Sequence, residues 1–210
     1  MTSSSPRPEV GEDGDPRCPW ALSAPDFPAY HDAEWGFPVD DDRRLFEKIS
    51  LEGFQAGLSW RTILTKRPAF RAGFANFEPE AVAAFGPADV ERLLADAGIV
   101  RHRGKIEAVI GNAAAYLELV EREGSLAAYL WRFEPTLAEL GEPQTITTCP
   151  SSIALSKDLK RRGWRFVGPT TMFALMESMG LINNHVPGCV VRERALAARA
   201  AFTPPVPTSR

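Results

Sequence analysis

Residues 101–121 read RHRGKIEAVIGNAAAYLELVE, and Ile106, Val109, Ile110, Ala113, Leu117 and Val120 recur in this stretch at steps of three and four. That period puts the six side chains on one face of an α-helix, so the stretch predicts a long amphipathic helix with this stripe against a core. The same signal repeats on both sides. Helices are expected from around Asp41, Trp60, Pro79, Pro87, Ser125, Ser151 and Pro169, several with proline at the first helical position, where its missing N–H forfeits no bond. Gly98, Gly163 and Gly180 stand where C-terminal caps are expected. Alternating strand patterns are scarce, so the fold class is all-α. Residues 135–150 break the pattern with Gly, Pro and Thr and read as a long surface loop.

With 210 residues, 44% hydrophobic and 24% charged, the chain suits one globular unit. The expected organisation is a disordered acidic extension over 1–16, a single helical domain over 17–202 and a flexible proline-rich tail over 203–210. No apolar run approaches the roughly 20 residues that span a bilayer. Residues 1–16 lack the apolar centre of a secretory signal, and three cysteines cannot all pair in disulfides. A cytoplasmic monomer is expected. The net charge of −3 speaks against a uniformly basic surface, yet Lys157, Lys160, Arg161, Arg162 and Arg165 face only Asp158 within their nine residues. Arg61, Lys66, Arg67 and Arg71 form a second cluster, and Arg101, Arg103 and Lys105 a third. Each cluster reads as a solvated helix face or as a phosphate contact.

Cys18 with His31, and His185 with Cys189, have ligand-like spacing. His185 and Cys189 lie one helical turn apart, so both can point at one metal ion. Cys18 and His31 would complete a closed tetrahedral set, a structural zinc tying the N-terminal segment to the C-terminal helix. Spacing alone leaves a second reading open, with His31 hydrogen-bonded in the core and Cys189 a small buried hydrophobe. Cys149 reads as an inert loop thiol, and His102 as a surface or phosphate contact.

Residues 151–162 read as a basic helix, Gly163–Gly168 as a tight connection and Pro169–Met179 as a second helix with Phe173, Met176 and Met179 inward. Glycines at both ends of the connection would let the backbone approach a phosphate, with the amides of the second helix free to bind it. The pattern is that of a helix-hairpin-helix element, or of a plain αα-hairpin with a basic face. Upstream, Leu45, Ile49, Glu52 and Ala56 follow one helical stripe, which puts a carboxylate on a buried side. Trp20, Phe27, Tyr30, Trp35 and Trp60 crowd nearby. A carboxylate among rings suits a flat cationic base, although a snorkelling acid beside core tryptophans would give the same pattern.

Six stretches together resemble the 3-methyladenine DNA glycosylase I family: Cys18–Trp20, Tyr30–Gly36, Leu51–Trp60, Asp96–Ile106, Leu159–Thr170 and Asn184–Cys189. The resemblance runs from about Arg17 to Cys189. It implies a helix-hairpin-helix glycosylase fold of two helical lobes with the base pocket between them, and a structural zinc held by Cys18, His31, His185 and Cys189. It implies that Glu52 is the catalytic carboxylate of the site and hydrogen-bonds the methylated adenine, that Trp60 stacks on it, and that Tyr30, Trp20 and Trp35 line the pocket. Gly57 and Leu58 are similar to the segment that wedges into the duplex, and Arg162, Gly163, Arg165, Gly168 and Thr170 fall in the hairpin expected to grip DNA. Phe27 departs from the usual tyrosine. Phe54, where glutamine is common, and Asn184 are further departures.

The implied activity is hydrolysis of the N-glycosidic bond of 3-methyladenine in alkylated double-stranded DNA. Between Pro169 and Phe202 there is no Asp to assist water, and no Lys follows Lys160 to form a Schiff base beyond the hairpin. A monofunctional glycosylase without lyase activity is therefore expected. Two rivals make different predictions. A non-catalytic zinc-containing DNA-binding module would bind duplex with a steep salt dependence and release no base. A zinc hydrolase would keep an open coordination position.

Overall fold

The side chain of Asp41 accepts a hydrogen bond from the backbone N–H of Arg44 at 2.8 Å, and a helix over Asp42–Gln55 begins there. The same device starts other helices. Ser59 caps the helix Trp60–Gly73 through Thr62, His102 caps Arg103–Glu123 through Lys105, and Ser125 caps Leu126–Trp131 through Ala128. Each serine or aspartate cap contributes about 1 kcal/mol by satisfying an otherwise orphaned donor. His102 is exposed, as expected, and also serves the backbone of its own helix.

The computed structural model describes residues 5–207, among which the α-helices are α1 Phe27–Ala33, α2 Asp42–Gln55, α3 Trp60–Gly73, α4 Pro79–Ala83, α5 Pro87–Ala95, α6 Arg103–Glu123, α7 Leu126–Trp131, α8 Pro150–Arg161, α9 Pro169–Ser178 and α10 Arg192–Ala201. All seven starts expected from the sequence are close to helix starts seen here; α1 and α10 are additional, α1 following Asp26 with Pro28 in its first turn. Gly163 and Gly180 adopt positive φ just beyond α8 and α9, whereas Gly98 lies in a turn past α5 without that conformation.

Residues 5–16, where a disordered extension was expected, contribute to a short hairpin. Strand β1, Glu9–Val10, pairs antiparallel with β2, Pro16–Arg17, and the Arg17 guanidinium is buried against Asp13 and Asp32. Residues 1–4 of that extension and 208–210 of the expected tail lie outside the described residues. Among the described residues no helix is long and apolar enough to cross a membrane.

The stripe of α6 is rotated from expectation in its second half. Ile106, Val109 and Ala113 are buried as predicted, but Leu117 is exposed and Asn112, Tyr116 and Leu119 face inward. The reason is polar pairing. Asn112 exchanges two hydrogen bonds with the backbone of Arg165, and the Tyr116 hydroxyl donates to Asp42 at 3.0 Å. Asp42 also accepts from the backbone N–H groups of Leu126 and Ala127, so the first residue of α2 caps α7.

Two apolar clusters result. The larger contains Phe46, Phe54, Phe70, Phe74 and Phe77 from α2, α3 and the turn after it, with Phe173 and Met176 of α9. Phe54, for which glutamine was the common alternative, is buried against Phe70 at 4.5 Å between centroids. The smaller cluster joins Cys18, Phe27, Tyr30 and Trp35 to Val186 and Cys189, and Trp60 packs against both. These are the two helical lobes.

Candidate active site

Between the lobes lies a cavity of about 650 Å³, within the range of small-molecule sites. Glu52 and all five aromatics singled out in the sequence, Trp20, Phe27, Tyr30, Trp35 and Trp60, line it. Trp20 is their hub, with ring centroids 5.0 Å from Trp35, 5.7 Å from Phe27 and 6.3 Å from Tyr30. Tyr30 in turn sits 5.3 Å from Trp60. Such tilted and edge-on pairs leave ring faces available to a flat ligand. Phe27 belongs to the cluster despite lacking a hydroxyl.

Glu52 is 6% exposed and its Oε1 lies 3.0 Å from Nζ of Lys48, one turn earlier on α2. Ala56, expected on the same stripe, is exposed past the end of the helix. Lys48 is itself buried, donates to the Tyr30 hydroxyl at 2.7 Å and stands 3.5 Å from the Trp60 ring centroid. Burial lowers its pKa, an effect opposed by the charge of Glu52. Burial also raises the Tyr30 phenol well above its usual range, reinforced by the charges of Glu52 and Glu34. Lys48 was not singled out in the sequence, although its i, i+4 spacing from Glu52 was visible there.

Two further walls were not anticipated. Glu177, on α9, faces the cavity as a second carboxylate; burial pushes it up to about 7, while a hydrogen bond from Asn184 pulls the other way. Gln144, Ile146 and Thr147 bring the 135–150 loop over the cavity. Asn184 fixes that loop, accepting from Gln144 N at 2.8 Å and, through its backbone carbonyl, from Gln144 Nε2 at 3.1 Å. Loop polarity in the sequence carried no sign of this role.

The four expected metal ligands converge. Cys18, His31, His185 and Cys189 are all buried, with their donor atoms within 4.8 Å of one another. Nδ1 of His185 lies 3.2 Å from Nε2 of His31, 3.7 Å from Cys18 Sγ and 3.6 Å from Cys189 Sγ, and His31 Nε2 lies 3.6 Å from Cys189 Sγ. A zinc tetrahedron with ordinary Zn–N and Zn–S bonds has edges of about 3.3 Å for N–N and about 3.6 Å for N–S. The residues present fit a structural zinc. Each imidazole's other nitrogen is also engaged, His31 Nδ1 with Asp32 at 2.7 Å and His185 Nε2 with the Trp35 carbonyl at 3.1 Å, which orients the rings toward the metal. His185 and Cys189 are brought together by a turn through Pro187 and Gly188 and not by a helix. Gly36, at φ +86°, packs so closely that a Cβ there would lie 2.8 Å from His185 Nε2.

The connection between α8 and α9 has the expected place but a different backbone. Gly163 takes φ +88°, but Gly168 sits at φ −63°, and the other positive φ belongs to Phe166. The Arg165 side chain is exposed, while Arg162 is held by Asp158 and Glu123 at 2.8 Å each. The other basic clusters are largely paired: Arg61 with Asp26, Arg67 with Glu34, Arg71 with Glu47 and Arg103 with Glu91. Lys105 donates to the Phe54 and Ala56 carbonyls at the end of α2. Just past that end, Gly57 at φ +80° and the 42% exposed Leu58 lie between the cavity-lining residues Gln55 and Ser59.

Residues 20–193 match the family model for methyladenine glycosylases. The chain belongs to the methyladenine glycosylase family. It is 49% identical over 177 residues to DNA-3-methyladenine glycosylase 1 of Escherichia coli, covering 82% of this chain and 95% of that one. It is 41% identical over 177 residues to the DNA-3-methyladenine glycosylase of Haemophilus influenzae, covering 82% and 96%. Among solved structures, 3-methyladenine DNA glycosylase I from Staphylococcus aureus superposes with a TM-score of 0.79 at 37% identity, over 84% of this chain and 96% of that one. The β1–β2 hairpin and α10 of this methyladenine glycosylase lie outside the segment or at the edge of the segment that the family model matches.

Proposed function

We propose that this methyladenine glycosylase hydrolyses the N-glycosidic bond of 3-methyladenine in alkylated double-stranded DNA and leaves the strand intact. The observation that carries the reading is the buried Glu52 carboxylate in an aromatic-walled cavity between two lobes. Methylation at N3 makes the base cationic while it is attached to the sugar. It departs as a neutral purine when the bond from N9 to C1′ breaks and water adds to C1′, releasing one proton. Such a base needs extraction from the stack and selective capture more than activation. Trp60 offers a stacking face, Glu52 accepts hydrogen bonds and supplies negative charge, and Tyr30, Trp20, Trp35 and Phe27 close the walls. Gly57 and Leu58, at the rim, fill the space the base vacates. Gly163, Arg165, Gly168 and Thr170 contact the phosphates, and Arg162 braces the hairpin through its two acids.

The absence of strand cleavage is supported by the placement of Lys48. Its nitrogen is engaged by Glu52, Tyr30 and the Trp60 face, and it does not line the cavity. The zinc ligands lie outside the cavity lining as well, which supports a structural role for the metal. One chain supplies pocket, hairpin and zinc site, supporting action as a monomer, and three free or ligating cysteines suit a reducing cytoplasm.

The test is incubation of the purified protein with methylated duplex DNA, chromatography of released bases, gel analysis of the strands and zinc measurement on the same sample. Release of 3-methyladenine with abasic, unbroken strands is expected at one zinc per chain. Salt-sensitive binding without base release would leave a DNA-binding module, and strand breakage would overturn the monofunctional assignment.

A further inference from the structure

We propose that Lys48 is a positioning residue that sets the hydrogen-bond polarity of the base pocket, so that Tyr30 meets the base as a donor and Glu52 meets it as an acceptor. The inference rests on the proposed base-binding role of the cavity and deepens it.

An ammonium group has three donors and no acceptor. In Lys48 they are directed at Tyr30 Oη at 2.7 Å, at Glu52 Oε1 at 3.0 Å and at the Trp60 ring, whose centroid is 3.5 Å away. A carboxylate and an aromatic face both favour the charged form of the amine. The Tyr30 oxygen is therefore an acceptor toward Lys48, and its single proton is left to turn elsewhere. Among the described residues no other partner engages that hydroxyl. The cavity is the direction available to it, since Tyr30 lines the cavity wall. Glu52 is constrained in the complementary sense. Oε1 is occupied by Lys48, and Oε2 remains as the acceptor for a ligand N–H.

The consequence is a wall that offers one donor and one acceptor side by side. An adenine ring presents the matching pair, an exocyclic amino donor flanked by ring-nitrogen acceptors. Without Lys48 the pattern is lost. Tyr30 and Glu52 reach the same nitrogen, so a small movement would let the phenol donate to the freed carboxylate instead of to the base. Lys48 itself stays behind the wall, in a small polar cleft with Glu34, Arg67 and Arg71, and does not touch the ligand space.

The experiment measures binding of free 3-methyladenine and of its 1-deaza and 7-deaza analogues, in which one ring acceptor becomes C–H, to zinc-loaded wild type, Lys48→Met and Tyr30→Phe. In the wild type, at least one deaza analogue should bind about tenfold more weakly, the loss of one buried hydrogen bond. In Lys48→Met that penalty should shrink to below about threefold, a change that general loosening of the pocket would not confine to one analogue. An unchanged penalty in Lys48→Met overturns the proposal, as does the absence of any penalty in the wild type. If Lys48→Met does not fold, Tyr30→Phe decides with Lys48 in place: its penalty should vanish, and retention of the wild-type penalty overturns the proposal. A wild type that neither binds 3-methyladenine nor releases it from DNA removes the functional reading itself; binding and release with an unaltered Lys48→Met penalty removes only the role of Lys48.

Discussion

Asp32 Oδ1 lies 2.7 Å from Nδ1 of the metal ligand His31, and the same carboxylate grips Arg17 through Nη2 at 2.7 Å. Arg17 in turn reaches Asp13, so the acidic N-terminal hairpin braces the zinc site from outside. Burial works against ionised Asp32, but its bonds to Arg17 and His31 hold the carboxyl below the usual range. Asp32→Asn keeps the shape and removes the charge that orients the imidazole. Zinc affinity should fall about 10- to 100-fold, measured by competition with a chromophoric chelator. Unchanged affinity would mean that His31 is oriented without Asp32.

Glu52→Gln should lower the rate of 3-methyladenine release by about 100-fold, the scale for losing one electrostatic contact in a closed site. Zinc should remain at one per chain. The melting temperature should drop, because Lys48 loses the charge that compensates its burial. Near wild-type turnover would remove Glu52 from the site.

Asn112 donates from Nδ2 to the Arg165 carbonyl at 3.0 Å and accepts from the Arg165 N–H at 2.8 Å, clamping the hairpin to α6. Asn112→Leu leaves both backbone groups unpaired, a destabilisation of about 1–3 kcal/mol. KM for methylated duplex should rise severalfold while affinity for free 3-methyladenine stays the same. Equal changes in both would show that the clamp supports the whole fold and not the DNA grip.

Glu177 has a folded pKa of about 7 against an ordinary 4.5, chiefly because burial disfavours its charge. Between those values the unfolded chain has lost this proton and the folded chain keeps it. The carboxyl's contribution therefore makes stability fall as pH rises through the window and level off above it. Glu177→Gln should abolish that slope, raising the melting temperature at pH 8 by a few degrees and leaving pH 5 unchanged. A pH-independent difference between the two proteins would refute the assignment.

Much of the architecture was legible in residue order because the signals are local. A proline at the first helical position, a serine or aspartate before an apolar repeat and a glycine after it each act within one turn, and α2 to α5 and α7 to α9 begin where those residues say, while α6 was legible from its apolar repeat. The four ligands and the five rings were also legible, through the blocks that carry the family resemblance. The hairpin within residues 5–16 was not legible, because Pro, Ser and acids read locally as disorder, whereas Arg17 meets Asp13 within the hairpin and Asp32 beyond it.

By itself the sequence determined the helical class, the helix starts and the chemical inventory of the site: a carboxylate, indoles, and a Cys2His2 ligand set. Only the tertiary structure decided which of those groups meet. It turned Asn112 and Tyr116 inward in place of Leu117, locked Lys48 behind Tyr30 and Glu52, and carried Glu177 and the Gln144 loop into the cavity wall. The physical reason is that a buried polar atom must find a partner, and that partner can lie anywhere along the chain. Helical periodicity says which face is buried, and pairing across the fold says what the face encloses.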